Sequence, residues 1–457
     1  MHAQPPQERR ANRAPAPAVH ARVTAWIFWA IFLGNAAIIV VLWARGGNVD
    51  GVHTMGEALA SVGRITGLLG AYLLLVQVLL LVRLPPLERL VGFDRLTVWH
   101  RRNGKLCISL VLAHVVFITL GYALTDRLSV SQEAWTLLRS YPGMVEATIG
   151  TAFLILVVLS SLIVVRCRLR YEAWYLVHLT AYAGIVLGWF HQIPTGNELV
   201  TNPRAAAYWT ALYLASLALL VLFRFAQPLL RAWWHRLRVA EVTVEGPNVV
   251  SLRITGRHLD RLGAQAGQFF LWRFLTRDRW WEAHPFSLSA APDGKSLRIT
   301  VKQVGDFTRS LGALPVGTPV VTEGPFGVFT DAVRKRESVL LIAGGIGITP
   351  IRALVEEMEG DIVLIHRVMR EEDLIFRDEL EALARARGIR LCPVVGDHAI
   401  PGNEHLLSAE HLHRLISDLP KREVYLCGPP AMAHHIEQQV RQAGVPSRSI
   451  HVERFAL

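Results

Sequence analysis

HRRNGKLCISLVLAH (residues 100–114) and HLTAYAGIVLGWFH (residues 178–191) each begin and end on histidine within a largely apolar segment. The spacings, 14 and 13 residues, are close to whole multiples of a 3.6-residue turn. Each pair therefore lies along one helix face, its members separated by roughly 21 and 20 Å at ~1.5 Å per residue. Two such helices facing one another can clamp two metal centres at different heights. A lone histidine in an apolar helix is more often a polar group bonded to a neighbour, but four with matched spacings argue for paired ligation. Zinc or copper needs ligands converging within a few ångströms, which neither helix offers alone. Two bis-histidine sets suit b-type haem, which needs no covalent attachment, and the chain has no CxxCH.

The 457 residues leave room for two or three domains. A 52% apolar share and a mean hydropathy of +0.32 are high for a soluble protein, and the apolar residues are unevenly spread. Spans of the ~20 residues needed to cross ~30 Å of hydrocarbon are predicted at 23–43, 64–84, 104–123, 147–165, 172–191 and 207–226. The four histidines then sit in a membrane, where ionisable groups are costly and point to function. After Arg238 no such span recurs.

The net charge of +11 raises the question of nucleic acid, but the positions of the charges answer it. Arg9, Arg10, Arg13 and Arg22 precede the first span; Arg83, Arg89, Arg95, Arg101, Arg102 and Lys105 lie between the second and third. Arg166, Arg168 and Arg170 separate the fourth from the fifth, and Arg224, Arg231, Arg236 and Arg238 follow the sixth. The alternate loops hold only Arg45, Arg127, Arg139 and Arg204, with Arg64 near one edge. This asymmetry is the positive-inside pattern. It predicts a multi-pass protein of the cell (inner or plasma) membrane with both termini cytoplasmic, and leaves no excess that needs nucleic acid. Odd-numbered spans then run outward, so His100 pairs with His178 near the cytoplasmic side and His114 with His191 near the outer side. Arg101 and Arg102 suit either haem propionates or the membrane interface. Arg64, at the outer end of span two, is a candidate to face the outer haem or the acceptor, while Trp189, Phe190 and Trp209 read as interfacial belt aromatics. Residues 1–22 read as a disordered cytoplasmic tail, not a signal peptide. Cys107, Cys167, Cys392 and Cys427 have no CxxC spacing, which argues against a disulfide framework or zinc site.

Beyond Leu237 short alternating strands are predicted at 239–244, 249–255, 269–274 and 297–301, punctuated by Gly and Pro as in a small antiparallel barrel. Within it, His284-Pro285-Phe286-Ser287-Leu288-Ser289 offers an aromatic and hydroxyls suited to a flavin ring. Lys302 leads to Gly305-Asp306-Phe307-Thr308, where a helix predicted to start near Thr308 would offer free N–H groups to a pyrophosphate. A core strand and a capped helix explain each phrase equally well taken singly. A buried parallel strand at 339–343 then feeds Gly344-Gly345-Ile346-Gly347-Ile348-Thr349-Pro350 and a helix at 351–358, the strand, glycine turn and helix of dinucleotide sites. A second strand, 362–365, ends at His366-Arg367 with Arg370 close behind. These arginines suit the 2′-phosphate of NADPH, whereas Glu371, Glu372 and Asp373 suit the ribose of NADH; NADPH is favoured. A third strand, 424–426, opens onto Cys427-Gly428-Pro429-Pro430, and the chain ends Glu453-Arg454-Phe455-Ala456-Leu457.

On the histidine pairs, HPFSLS, VGDFT, GGIGITP, CGPP and the terminal ERF, the chain resembles the NADPH oxidase / ferric reductase superfamily over nearly all residues after the tail. The resemblance implies a six-helix transmembrane bundle (23–228), an antiparallel β-barrel FAD domain (237–333) and an α/β parallel-sheet NADP-binding domain (337–457). It implies that His100, His114, His178 and His191 ligate two haems b. It likewise implies FAD on His284 to Ser289, Lys302 and Gly305 to Thr308, and NADPH (or NADH) on Gly344 to Pro350, Arg367, Arg370 and Cys427 to Pro429. Phe455 and Cys427 would stand at the catalytic centre, Phe455 covering the flavin face where nicotinamide arrives. Ser287 replaces a threonine common in the family, and no calcium-binding insertion is present. The implied activity takes a hydride from cytoplasmic NADPH onto FAD, which can release its electrons singly to the two haems and an outer acceptor. A ferric chelate is the favoured acceptor, with oxygen (giving superoxide), a quinone or a partner protein as alternatives; the short outer loops carry no metal-ligand cluster.

Overall fold

In hydrocarbon every backbone N–H and C=O must be satisfied within its own segment, so apolar runs of this length fold as helices. A computed structural model describes residues 17–454 apart from 168–170, 398, 399, 401 and 404. Six helices in it are long and apolar enough to cross a membrane, at Trp26–Asn48, Met55–Leu79, Arg95–Asp126, Met144–Leu162, Ala173–Thr195 and Pro203–His235. This is a multi-pass membrane protein, and its chain divides into two compact units between Phe225 and Ala226.

The first unit contains α1 (Pro17–Trp43), α2 (Met55–Leu79), α3 (Pro85–Val91), α4 (Phe93–Asp126), α5 (Val130–Ser140), α6 (Met144–Cys167), α7 (Tyr171–Thr195), α8 (Asn197–Val200) and α9 (Pro203–Leu220). Span two starts nine residues and ends five residues earlier than the predicted 64–84. Its start is set by a capping box, with the Thr54 hydroxyl on the Glu57 N–H and the Glu57 carboxylate on the Thr54 N–H. Arg64 therefore sits inside the helix and not at its edge. α2 packs along α4, and α6 along α7. Small residues permit the close approach: a Cβ on Gly150 would stand 2.7 Å from the Gly184 carbonyl, and one on Gly184 2.9 Å from that of Gly150.

The second unit opens with α10 (Gln227–His235), whose His235 Nδ1 donates to the Arg257 carbonyl (3.0 Å). Strands β1 (Arg238–Gly246), β2 (Val249–Thr255) and β5 (Ser296–Lys302) form one antiparallel sheet; β4 (His284–Ser287), β3 (Phe269–Phe274) and β6 (Val320–Phe326) form another. The sheets meet at both edges, through the Leu288–Ile299 and Arg238–Pro319 bridges, giving the cyclic order of a barrel. Leu252, Ile254, Phe270, Trp272, Leu288 and Ile299 fill it and are fully buried. The short helix α11 (Asp306–Ser310) leaves β5. The rest is a parallel sheet in the order β11-β10-β7-β8-β9, from β7 (Val339–Gly344), β8 (Ile362–Val368), β9 (Arg390–Val395), β10 (Glu423–Gly428) and β11 (Ile450–Arg454). Helices α12 (Ile348–Glu357), α13 (Arg377–Arg387), α14 (Ala409–Leu415) and α15 (Pro430–Gln442) connect them. The apolar run 339–343 is wholly buried, as a central parallel strand should be.

Candidate functional site

In the membrane unit the four histidines form two facing pairs. The ring centres of His100 and His178 are 6.1 Å apart, and those of His114 and His191 are 6.2 Å apart. An imidazole nitrogen lies about 2.0–2.1 Å from a bound first-row metal, and adding ~1 Å from each nitrogen to its ring centre puts two axial rings about 6 Å apart. The pairs therefore fit one metal ion each. The α4 rings are aimed from behind by backbone carbonyls of α2: His100 Nδ1 donates to the Gln77 oxygen (3.1 Å) and His114 Nδ1 to that of Gly63 (2.8 Å). Since a carbonyl only accepts, Nδ1 carries the proton in both rings and Nε2 is left with its lone pair. His114 has its place because residue 67 lacks a side chain; a Cβ there would stand 2.5 Å from His114 Nδ1. Gln77, Gly63 and Gly67 escape a sequence reading because two of them act through carbonyls and the third through an absent atom.

Beside this site runs a buried polar chain. Arg64 donates to Asn48 Oδ1 (2.9 Å) and to the Tyr122 hydroxyl (3.4 Å), and Asn48 in turn donates to Glu198. Trp209 departs from its expected place in an interfacial belt: it is 1% exposed, because its Nε1–H donates to Gln192 Oε1 at 2.7 Å. Trp189 stacks on Tyr213, and Phe190 is half exposed.

In the second unit the two candidate flavin phrases come together. The His284 ring stacks on Phe307 with centres 3.7 Å apart, and Phe286 is anchored where Trp272 Nε1 donates to its carbonyl (2.9 Å). Pro285 and Ser287 pair with Leu271 and Phe269 of β3, and Lys302 ends β5 exposed. Leu288 and Ser289 point inward. Ser289 is fully buried, its hydroxyl accepting from Thr300 (2.8 Å), which also meets Ser251 (2.7 Å). Helix α11 starts at Asp306, two residues before the predicted Thr308, because the Thr308 hydroxyl turns back to accept from the N–H groups of Val304 (3.0 Å) and Gly305 (2.9 Å). Those two donors are thus taken, and the anion-binding expectation retreats to the first turn itself.

The strand order reverses between β7 and β10, and a ligand crevice is expected at the carboxyl ends of such strands. There Gly344 meets Gly428, and Gly347 meets Cys427 and Gly428, while Gly345 turns the chain at positive φ between them. A Cβ on Gly347 would lie 2.3 Å from the Cys427 carbonyl, and Met432 packs against both Gly344 and Gly428. Helix α12 begins at Ile348, earlier than the predicted 351, with Thr349 and Pro350 in its first turn and buried. Cys427 is buried in the core between Ala343 and Glu453, and burial, with Glu453 adding to it, holds its thiol far above the usual range. It packs as an apolar residue and stays protonated; the side chain does not enter the crevice as a nucleophile. Pro429 leads into α15. Arg367 is also buried, donating to the Val368 carbonyl, with its guanidinium pulled down by burial. Arg370 is exposed and pairs with Glu372 (2.6 Å) and Asp373 (3.4 Å). Phe455 lies outside the described residues.

Comparison with known proteins divides the chain the same way. Residues 66–189 match the family of ferric reductase like transmembrane components, 234–329 an FAD-binding domain and 341–438 the oxidoreductase NAD-binding domain. The toluate 1,2-dioxygenase electron transfer component of Pseudomonas putida is 28% identical over 233 residues, covering 49% of this chain and 68% of its own. The ferredoxin reductase component of the 3-ketosteroid-9-alpha-monooxygenase of Mycolicibacterium smegmatis is 32% identical over 232 residues, covering 48% of this chain and 65% of its own. Among solved structures, the flavohem-like FAD/NAD binding domain of nitric oxide dioxygenase from Vibrio cholerae has a TM-score of 0.41 at 24% identity, covering 48% of this chain and 98% of that one.

Proposed function

From the premise that this chain has the domain architecture of the NADPH oxidase/ferric reductase superfamily and is an NAD(P)H-dependent oxidoreductase, we propose that it carries electrons from cytoplasmic NADPH through FAD and two b-type haems to a ferric chelate on the outer side. In this reading residues 23–228 hold the haems, 237–333 the FAD and 337–457 the nucleotide, with both termini cytoplasmic. The observation that carries it is the pair of histidine couples, 6.1 and 6.2 Å across, spaced along the same two helices. Bound flavin supplies the conversion of a two-electron hydride into single electrons, and bound haem the one-electron carriage.

The chain's own residues supply position and electrostatics. His100, His114, His178 and His191 would hold the haem irons, and the α2 carbonyls that accept from Nδ1 of His100 and His114 would leave Nε2 of those two rings for the metal and raise its basicity. His284 and Phe307 form a stacked aromatic pair beside the flavin strand. The Gly344–Gly347 turn brings backbone close to a pyrophosphate at the start of α12, where unsatisfied N–H groups favour an anion. Exposed Arg370 is the residue free to reach a 2′-phosphate on swinging away from its carboxylate partners, while Arg367 braces the end of β8.

Anaerobic reduction of the purified, FAD-loaded protein by NADPH, followed spectrally and then by exposure to ferric citrate or oxygen, tests the reading. Bis-histidine haem bands should appear on reduction and be reoxidised quickly by the iron complex. Rapid reoxidation only by oxygen, with superoxide released, would make the protein an oxidase. Absence of haem bands would sink the membrane half of the proposal.

A further inference from the structure

We propose that a partly buried cluster of two arginines and two glutamates, centred on the buried Arg352, positions the flavin phrase against the nucleotide turn for hydride transfer. The inference rests on the assignment of FAD to β4 and of NADPH to the β7–α12 turn. Arg352 lies in α12, five residues from Gly347, and is only 4% exposed. Its NH1 donates to the carbonyl of Ser289, the last residue of the HPFSLS phrase, at 3.1 Å. The same guanidinium holds Glu356 of its own helix at 2.6 and 2.7 Å and also bonds Glu379 of α13. From β5, Arg298 donates to the same Ser289 carbonyl (2.9 Å) and to both oxygens of Glu379 (3.1 and 3.2 Å). Further ties join α12 to the barrel: the Ala291 N–H donates to Glu356 (2.6 Å) and the Ala266 N–H to Glu357 (3.1 Å).

The charges cancel within the cluster, which is what allows Arg352 to be buried at its centre. Stability alone does not account for it, since well-packed apolar residues often replace buried ion pairs without loss. What an apolar contact lacks is direction. Two guanidinium forks from different elements converge on one carbonyl oxygen and fix it in three dimensions, where packed methyl groups would allow sliding. The carbonyl closes the flavin phrase two residues beyond the end of β4, and Arg352 belongs to the helix that starts at the nucleotide turn. The cluster therefore links the two seats directly. Misplacement of ~1 Å by a change far from the chemistry can slow a reaction on the order of 10²-fold.

The test uses the full-length, FAD-loaded protein with Arg352→Lys, which keeps the charge but not the fork, and Glu379→Gln, which keeps hydrogen-bonding capacity. Stopped-flow flavin reduction by NADPH should slow on the order of tenfold or more, with little change in the NADPH concentration at half-saturation. The charge-transfer absorbance of nicotinamide over oxidised flavin should weaken, and amide exchange over residues 285–291 of the FAD-free protein should quicken. Unchanged flavin reduction and charge-transfer absorbance in Glu379→Gln, whatever happens to its melting temperature, would overturn the inference by leaving the cluster as structural glue. If the unsubstituted protein takes up FAD but NADPH cannot reduce it, the underlying assignment fails instead.

Discussion

Gly67 shows how much of the outer metal site depends on one missing methyl group. His114 Nδ1 reaches the Gly63 carbonyl only because nothing projects from residue 67, and a Cβ there would overlap the ring at 2.5 Å. A methyl group at residue 67 would push the ring away from the Gly63 carbonyl that orients it. Gly67→Ala should lose about half of the haem absorbance while leaving NADPH reduction of FAD intact, as His114→Ala should. Gly34→Ala, where a Cβ meets nothing within 4 Å, is the control. A full complement of two haems in Gly67→Ala would contradict the geometry. The histidines themselves were legible from spacing alone, because a helix converts sequence distance into direction. Gly67, the Gln77 carbonyl and the Asn48–Glu198 contact were not, because each depends on which helix lies opposite.

Among the elements, β8 illustrates both the reach and the limit of pattern. Its apolar core was readable as a buried strand, and its two charged-looking residues, His366 and Arg367, were expected at an open strand end. Both are buried within the strand. Burial holds the His366 imidazole down to about 4, against a backbone hydrogen bond to Gly345 that pulls the other way. The unfolded chain therefore binds a proton that the folded chain refuses between its ordinary value and about pH 4. Stability accordingly rises with pH through that window and is lost as pH falls through it. The loss should reach about 2 kcal/mol by pH 5, at ~1.4 kcal/mol per unit. His366→Gln should flatten the fall in melting temperature between pH 7 and 5; equal slopes in the two proteins would refute the assignment. Other elements eluded the sequence for plain reasons. Strand β9 carries Pro393, tolerated because it is an edge strand, and α5 is announced only by the Ser129–Gln132 capping box. The early start of α12 hides in glycines that read as a loop.

For the molecule as a whole, hydropathy carries the six spans and strand and glycine patterns the barrel and parallel sheet, while charge asymmetry predicts a direction across the membrane. That direction has its own test. In intact cells a membrane-impermeant thiol reagent should label Leu128→Cys, and should label Val304→Cys only after lysis; both positions are exposed, at 41% and 58%. The reverse pattern would invert the topology. On the proposed reading, the separation between the two histidine couples also has an electrical meaning. Each electron passed from the inner couple to the outer one moves negative charge outward through roughly 20 Å of low-dielectric medium, at ~1.5 Å per residue of helix. Crossing the full membrane is worth about 2.3 kcal/mol per charge for each 100 mV. A cell negative inside would thus drive the turnover, and every turnover would in return discharge the membrane, tying this enzyme's rate to whatever cation flow restores the voltage.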